Sequence, residues 1–240
     1  MVRLLVSFAL VLSCSALAKH KKHDAQGAIV LNGARVAVHW TDGDSFKVKE
    51  GEFKGKGTRL VGYNSLEAYG PVHQWGEWTA QELFEIAEAS AGIAAAKEWN
   101  CVTDGKEDGY HRLLVDCPDL AIDMAKTGYG MAYAVEGTTS RPAVLEAQRD
   151  AQQNKRGMWR KGVVKGVLSS LHSVGEDGNT REKTAYNRLV DTRTGAALKH
   201  AHSHTYATCE KVCEETEGET SCMVYVPFAL RYRQQPDCLR

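Results

Sequence analysis

The chain has no excess of charge of either sign: 30 lysines and arginines stand against 30 aspartates and glutamates. A globally cationic surface is therefore excluded, and any nucleic-acid site must be local. No internal repeat and no long low-complexity tract is present, which leaves out solenoid and fibrous classes. No apolar run has the length of a membrane span; the one near the start, over 4–12, is too short. What is there is ordinary for a globule. The 240 residues are 43% apolar and 25% charged, enough for one ample domain or one domain plus a small module.

The N-terminus predicts export. Arg3 precedes the short apolar run, and Ala16-Leu17-Ala18 makes an A-x-A cleavage site before Lys19-His20-Lys21-Lys22-His23. Residues 1–18 read as a secretory signal peptide. Its removal takes only Arg3, leaving 29 basic against 30 acidic residues. A second-ranked reading makes Cys14 the lipidated residue of a lipoprotein box, which Leu12 fits poorly. Residues 19–27 read as a basic flexible leader. Seven cysteines less Cys14 leave six, an even number that predicts three disulfides in a secreted or periplasmic setting.

Hydrophobic alternation predicts strands through 28–63, with Val36, Val38 and Trp40 on one face. A second strand is expected over 45–49 and a third over 58–63, with Gly51, Gly55 and Gly57 between them. A helix is expected over 75–96, with Leu83, Ile86 and Ala87 inward. Strands near 98–102 and 112–117 flank the polar loop 103–110. Pro118 starts a helix that Gly128 ends, and Pro142 opens a third helix stopped by Gly157. Five strands and three helices in this order predict an α+β fold, mainly a five-stranded OB-type barrel with packed helices. After Lys161 the texture changes. Residues 28–162 read as one domain and 163–240 as a small cysteine-rich module.

The chemistry concentrates in 41–67. Asp42-Gly43-Asp44-Ser45 places two carboxylates about a glycine. Arg59-Leu60-Val61-Gly62-Tyr63-Asn64-Ser65-Leu66-Glu67 follows after a polar turn. If the two runs are neighbouring strands, Asp44, Asn64 and Glu67 converge with Arg59 facing them. That is a hard-cation site beside a phosphate clamp. Taken singly each residue has a plain structural reading: Asp-Gly is a common hairpin turn, and a lone arginine is usually solvated.

Together with Asp108-Gly109-Tyr110-His111-Arg112, and with Glu146-Ala147-Gln148 leading to Gly157-Met158-Trp159, these stretches resemble the staphylococcal nuclease family over roughly 28–162. The resemblance implies an OB-fold and a calcium-dependent phosphodiesterase acting on DNA and RNA. It implies that Asp44, Asn64 and the Ser65 carbonyl hold the metal. Glu67 would position or deprotonate the attacking water, and Arg59 and Arg112 would grip the phosphate. Those parts suit the reaction. A divalent cation offsets charge gained at phosphorus, guanidiniums fork onto phosphate oxygens, and a carboxylate handles the water. Two departures stand out. Asn64 replaces an aspartate, which predicts weaker calcium binding or wider metal tolerance. Leu66 replaces a proline, which predicts a less rigid loop.

Cys101 and Cys117, near the paired ends of the fourth and fifth predicted strands, are a candidate disulfide. Tyr110 and Tyr133 are the candidates for substrate contact by stacking. In the tail, Cys209, Cys213, Cys222 and Cys238 are expected to form two disulfides with the pairing open, in preference to a zinc site with His200, His202 and His204. The reading is an exported, monomeric nuclease acting on DNA or RNA, with no transmembrane segment after signal removal. The alternatives are a nucleic-acid-binding protein without turnover, and an envelope-binding protein driven by its C-terminal module.

Overall fold

The computed structural model describes residues 25–176, 178, 183–231 and 238. The expected signal peptide, Cys14 and leader residues 19–24 lie outside the described residues. Residues 25–27 do not belong to a leader. They open the first strand, β1 (Ala25–Leu31), which turns through Asn32-Gly33 into β2 (Ala34–Trp40). Both turn residues have positive φ, 49° and 85°. That is the two-residue hairpin geometry in which Asn-Gly is favoured, because its twist matches that of the strands. In-register pairing sets Ile29 opposite Val36 and so places apolar side chains on one face.

β2 continues into β3 (Phe46–Val48), and β7 (Asn100–Cys101) adds in parallel to β1, giving a curled sheet of order β3-β2-β1-β7. Between them in sequence come β4 (Thr58–Leu60), β5 (Tyr63–Asn64) and β6 (Val72–Trp75). β4 lies parallel to β8 (Leu113–Val115), and β5 antiparallel to β9 (Met131–Ala132). Isolated bridges, Lys47 with Gly57 and Val102 with Asp116, span the seams. The result is a mixed α+β half-barrel; its ladders are short and do not run as one closed five-stranded sheet.

Three helices pack on it. The first, α1 (Ala80–Ala95), begins later than the apolar pattern suggests. Thr79 caps it: its Oγ1 accepts from Glu82 N at 3.2 Å, and Glu82 Oε2 accepts from Thr79 N at 3.0 Å. This capping box fixes the start. Trp75 therefore ends a strand and belongs to no helix. α2 (Pro118–Thr127) has proline in its first turn and ends on Gly128 at φ 74°. α3 (Pro142–Gln153) also begins on proline. Among the described residues no helix is long and apolar enough to cross a membrane.

The C-terminal segment adds β10 (Gly166–Ser170), β11 (Ala185–Asp191) and β12 (Ala197–His202) as one antiparallel sheet. β13 (Lys211–Thr216) and β14 (Glu219–Val224) form a hairpin whose second strand pairs with β6. The segment also shares a core with what precedes it. Val164, Val167, Val190 and Ala197 pack in one cluster with Trp75, Trp78, Met131 and Trp159. Disulfides join Cys101 to Cys117, Cys209 to Cys238 and Cys213 to Cys222. The first is the expected pair, and the other two fix the open pairing of the tail. Cys213 lies on β13 and its partner Cys222 on β14.

Ending the chain after residue 162 would strip β14 from β6 and uncover that shared cluster. The truncated protein is expected to bind a hydrophobic dye and to lose its cooperative thermal transition. A sharp unfolding transition like that of the full chain would show that the first 162 residues are self-sufficient.

Candidate functional site

The turn between β2 and β3 carries Asp42, Gly43 and Asp44. It is held from beneath by Tyr63, whose hydroxyl donates to the Gly43 carbonyl at 2.5 Å. A side chain at Gly43 would meet Ser90 Cβ of α1 at 2.7 Å and Ser65 Cβ at 2.8 Å. Glycine thus lets the turn seat against both. Thr58 locks the next layer: its Oγ1 donates to Phe46 O at 2.9 Å and accepts from Phe46 N at 3.0 Å. Leu60 N then donates to Asp44 O at 2.9 Å. This register brings Arg59, one residue earlier on β4, beside the Asp44 side chain.

Arg59 Nη1 donates to Asp44 Oδ2 at 2.7 Å, and its Nη2 donates to Asn64 Oδ1. Asp44 Oδ2 also accepts from Ser65 N at 3.0 Å, and Asn64 Nδ2 donates to Ser65 O at 2.5 Å. The Asp44 side chain is 4% exposed. A carboxylate so buried requires both a counter-charge and hydrogen bonds, and it has both. Asp42 accepts from Asp44 N at 3.1 Å and from Ser45 Oγ at 2.5 Å. Burial pushes its carboxyl well above the usual range, and the nearby Asp44 and Glu67 add to that.

Glu67 lies in the segment between β5 and β6. Burial raises its pKa first and Asp44 adds; Arg59, Arg231 and Arg112 pull it back. Its backbone N–H donates to His73 Nε2 at 3.3 Å. His73 is fully enclosed on β6, and burial pushes it down to about 4 against the pull of the Leu168 backbone. An accepting Nε2 assigns the proton of this neutral ring to Nδ1.

Arg112 stands just before β8. Its Nε and Nη2 pair with Asp108 Oδ2 at 2.8 and 2.6 Å, and Asp108 Oδ1 accepts from Tyr110 N and Arg112 N. The Tyr110 ring is 66% exposed and lies 5.6 Å from the guanidinium carbon of Arg112. Tyr133 differs. It is 8% exposed, packed in the shared core, with its ring 5.6 Å from the Arg59 guanidinium carbon. Its position supports Arg59 and offers no open face for a base.

The structure therefore gathers Asp44, Asn64, Ser65 and Arg59 into direct contact and sets Glu67 and Arg112 within electrostatic reach. His73 and Arg231 were missed in the sequence. His73 carries no signal there, and Arg231 lies far along the chain. Tyr63 carries only a strand signal in the sequence. Among the described residues no group of three or more His, Cys, Asp or Glu side chains is arranged to hold a metal ion. A shallow depression lined by Val61, Val102, Thr103, Asp104, Leu114 and Asp116 contains none of these site residues. A scan against models of known protein families and a search of curated proteins both find no match for this chain.

Two outcomes follow from this geometry. Arg59→Ala strands the Asp44 carboxylate and should cost on the order of 3 kcal/mol in urea unfolding. The double variant with Asp44→Ala should recover part of that loss; strict additivity would deny the coupling. His73 is neutral in the fold at pH values where the unfolded chain protonates it. Its stabilisation is full above about pH 6.5 and is lost as pH falls towards 4. Unfolding free energies at pH 7 and 4.5 should therefore diverge more in the wild type than in His73→Gln. Equal pH dependence would remove His73 as the cause.

Proposed function

We propose that this chain is an exported, calcium-dependent phosphodiesterase that hydrolyses DNA or RNA. The observation that carries the reading is the buried contact of Arg59 with Asp44 and Asn64, beside Glu67, which the Arg112 guanidinium also reaches electrostatically. No simpler need of the fold calls for these charges at one point. The same reading takes the curled half-barrel and its bridges as a five-stranded OB-type barrel. Three disulfides suit an oxidising compartment and so support export.

In this mechanism Arg59 and Arg112 bind the phosphodiester from two sides and stay charged at any working pH. Glu67, within electrostatic reach of both guanidiniums, would orient a water for in-line attack and take its proton. Its raised pKa makes it a better base than an exposed carboxylate. The water oxygen would bond to phosphorus as the P–O5′ bond breaks; the 5′ oxygen would leave as a hydroxyl, its proton coming from solvent, and a 3′-phosphate end would remain. The donors fit a hard cation: the Asp44 carboxylate, the Asn64 amide oxygen and the Ser65 carbonyl are all oxygen. Burial first, and then the nearby Asp44 and Glu67, raise Asp42, and a cation would offset the acidic part of that effect. Calcium bound there supplies Lewis-acid polarisation of a non-bridging phosphate oxygen. Asn64 removes one charge from the set, so affinity should be low.

A second reading, a nucleic-acid-binding protein without turnover, draws on the same contact. Arg59 engages the oxygens of both Asp44 and Asn64, the groups that would ligate the metal.

The deciding experiment digests single- and double-stranded DNA and RNA with calcium and with chelator, beside Glu67→Ala. Calcium-dependent cleavage should fall by roughly a hundredfold or more in the variant. Unchanged cleavage would remove Glu67 from the mechanism. Binding without cleavage in any metal would favour the second reading.

A further inference from the structure

Among the described residues of the C-terminal segment, Arg231 approaches Glu67. Arg231 follows the short 3-10 turn Phe228–Leu230. Its Nε donates to Val226 O at 3.2 Å and its Nη2 donates to Glu176 Oε1, which also accepts from Tyr225 Oη at 3.0 Å. Among the described residues its Nη1 makes no hydrogen bond. Its guanidinium carbon stands 5.6 Å from the centre of the Phe228 ring. A Cβ placed on Gly70 would lie 3.6 Å from Glu67 Oε2 and 3.9 Å from Arg231 Nε. The two side chains thus approach each other over Gly70.

Arg112 repeats the same construction. It too is held by a carboxylate, Asp108, and it too has a ring 5.6 Å away, that of Tyr110. Both rings present much of their surface to solvent, 56% for Phe228 and 66% for Tyr110. Two units of guanidinium, carboxylate and exposed aromatic therefore attend Glu67. One comes from the loop before β8 and the other from the end of the chain. An exposed ring beside a fixed cation suits a nucleotide, with a base on the ring and a phosphate on the guanidinium.

We propose that Phe228 and Arg231 form a second nucleotide subsite, so that the substrate is a single-stranded polynucleotide running past Glu67 from the Tyr110–Arg112 unit to the Phe228–Arg231 unit. The proposal rests on the nuclease reading of the same site. Single strands are specified because a ring can stack only on a base whose face is open; in a duplex the neighbouring pairs cover it. Phe228 is the stacking residue and Arg231 the phosphate-binding residue, preset by Glu176 and the Val226 carbonyl.

The test uses the full chain with its disulfides intact and fluorescein-labelled oligothymidylates of increasing length. Chelator is present so that nothing is cut, and binding is read by anisotropy. Wild-type affinity should rise with length until both units are covered. Phe228→Ala should weaken binding of the longest oligomer roughly tenfold. Arg231→Ala should lower the slope of log K against log salt by about 0.7. Because Arg231→Ala also breaks the Glu176 pair, Phe228→Ala and Arg231→Lys carry the decision, with thermal melting checking each fold. Arg231→Lys should lose several-fold in affinity. Leu198→Ala, an exposed aliphatic on β12, should bind as wild type. If Phe228→Ala and Arg231→Lys bind the longest oligomer like wild type while Arg112→Ala does not, the nuclease site stands and the C-terminal subsite is refuted. If the wild type binds no oligonucleotide and cuts none with calcium, the nuclease reading falls and takes the subsite with it. Equal affinity for a duplex of the same length would overturn the single-strand assignment.

Discussion

The buried Asp44 side chain has its counter-charge in Arg59, and much of the local architecture serves to bring the two together. Transfer of an unpaired carboxylate from water to the interior costs far more than one hydrogen bond returns. The chain meets this by putting the acid and the guanidinium on adjacent strand segments and fixing their register twice. Thr58 ties β4 to Phe46, and the Leu60 amide ties it to the Asp44 backbone. Tyr63 and Gly43 then fix the height of the turn against Ser90 and Ser65. Arg59 has a second acceptor in Asn64 and an aromatic ring below it in Tyr133. Such a pair is not primarily a source of stability. A well-packed apolar pair of the same volume would serve the fold as well or better. The proposed nuclease reading would give these charges a use that the fold alone does not.

The same constraint extends to the C-terminal segment. The Glu67 loop has few regular backbone partners of its own, and its amide is anchored on His73. That imidazole is a useful acceptor only while it is neutral, and β14 and β10 packing over β6 keep it so. The residues beyond 162 therefore act on the site without contributing to the cluster that first identifies it. They shield the anchor, and they bring Arg231 close to Glu67 over Gly70. A boundary drawn from composition near 162 marks a change of texture, yet the hydrogen-bonded sheet and the tryptophan-rich core both cross it.

What could be read from the sequence followed the range of the interactions. Asp44, Arg59, Asn64, Ser65 and Glu67 all fall within 41–67, so neighbouring strands suffice to bring them together, and they could be named as a set. The Cys101–Cys117 bridge was readable for the same reason, as it links the ends of nearby strands. Two local signals were present and went unused. Asn32-Gly33 announces the β1–β2 hairpin, so Ala25–Gly27 are strand and not leader. Thr79 with Glu82 announces the start of α1, so Trp75 is strand. His73 and Arg231 left no such trace. A buried histidine has no sequence signature, and an arginine that meets Glu67 only through tertiary packing cannot be located by spacing. Tyr133 could be singled out by position, but its burial depends on the packing of the C-terminal core around it.

A chain of zero net charge is an unlikely partner for a polyanion only if charge is counted over the whole molecule. Counted at the site, each guanidinium has its own acid: Asp44 for Arg59, Asp108 for Arg112 and Glu176 for Arg231. These pairs cancel charge for charge and leave Asp42 and Glu67 as further acids of the site, so three forked donors are held in fixed orientations without a net positive field. Long-range steering is weak in such a site, since steering follows net field. Under the proposed nuclease reading, recognition would then come from short-range fit, with phosphate oxygens replacing or sharing the carboxylates at each guanidinium and unpaired bases covering the rings. That favours a substrate able to reach several such points at once over one that presents only charge. The neutrality of the whole chain and the local crowding of acids and arginines are thus one property seen at two distances.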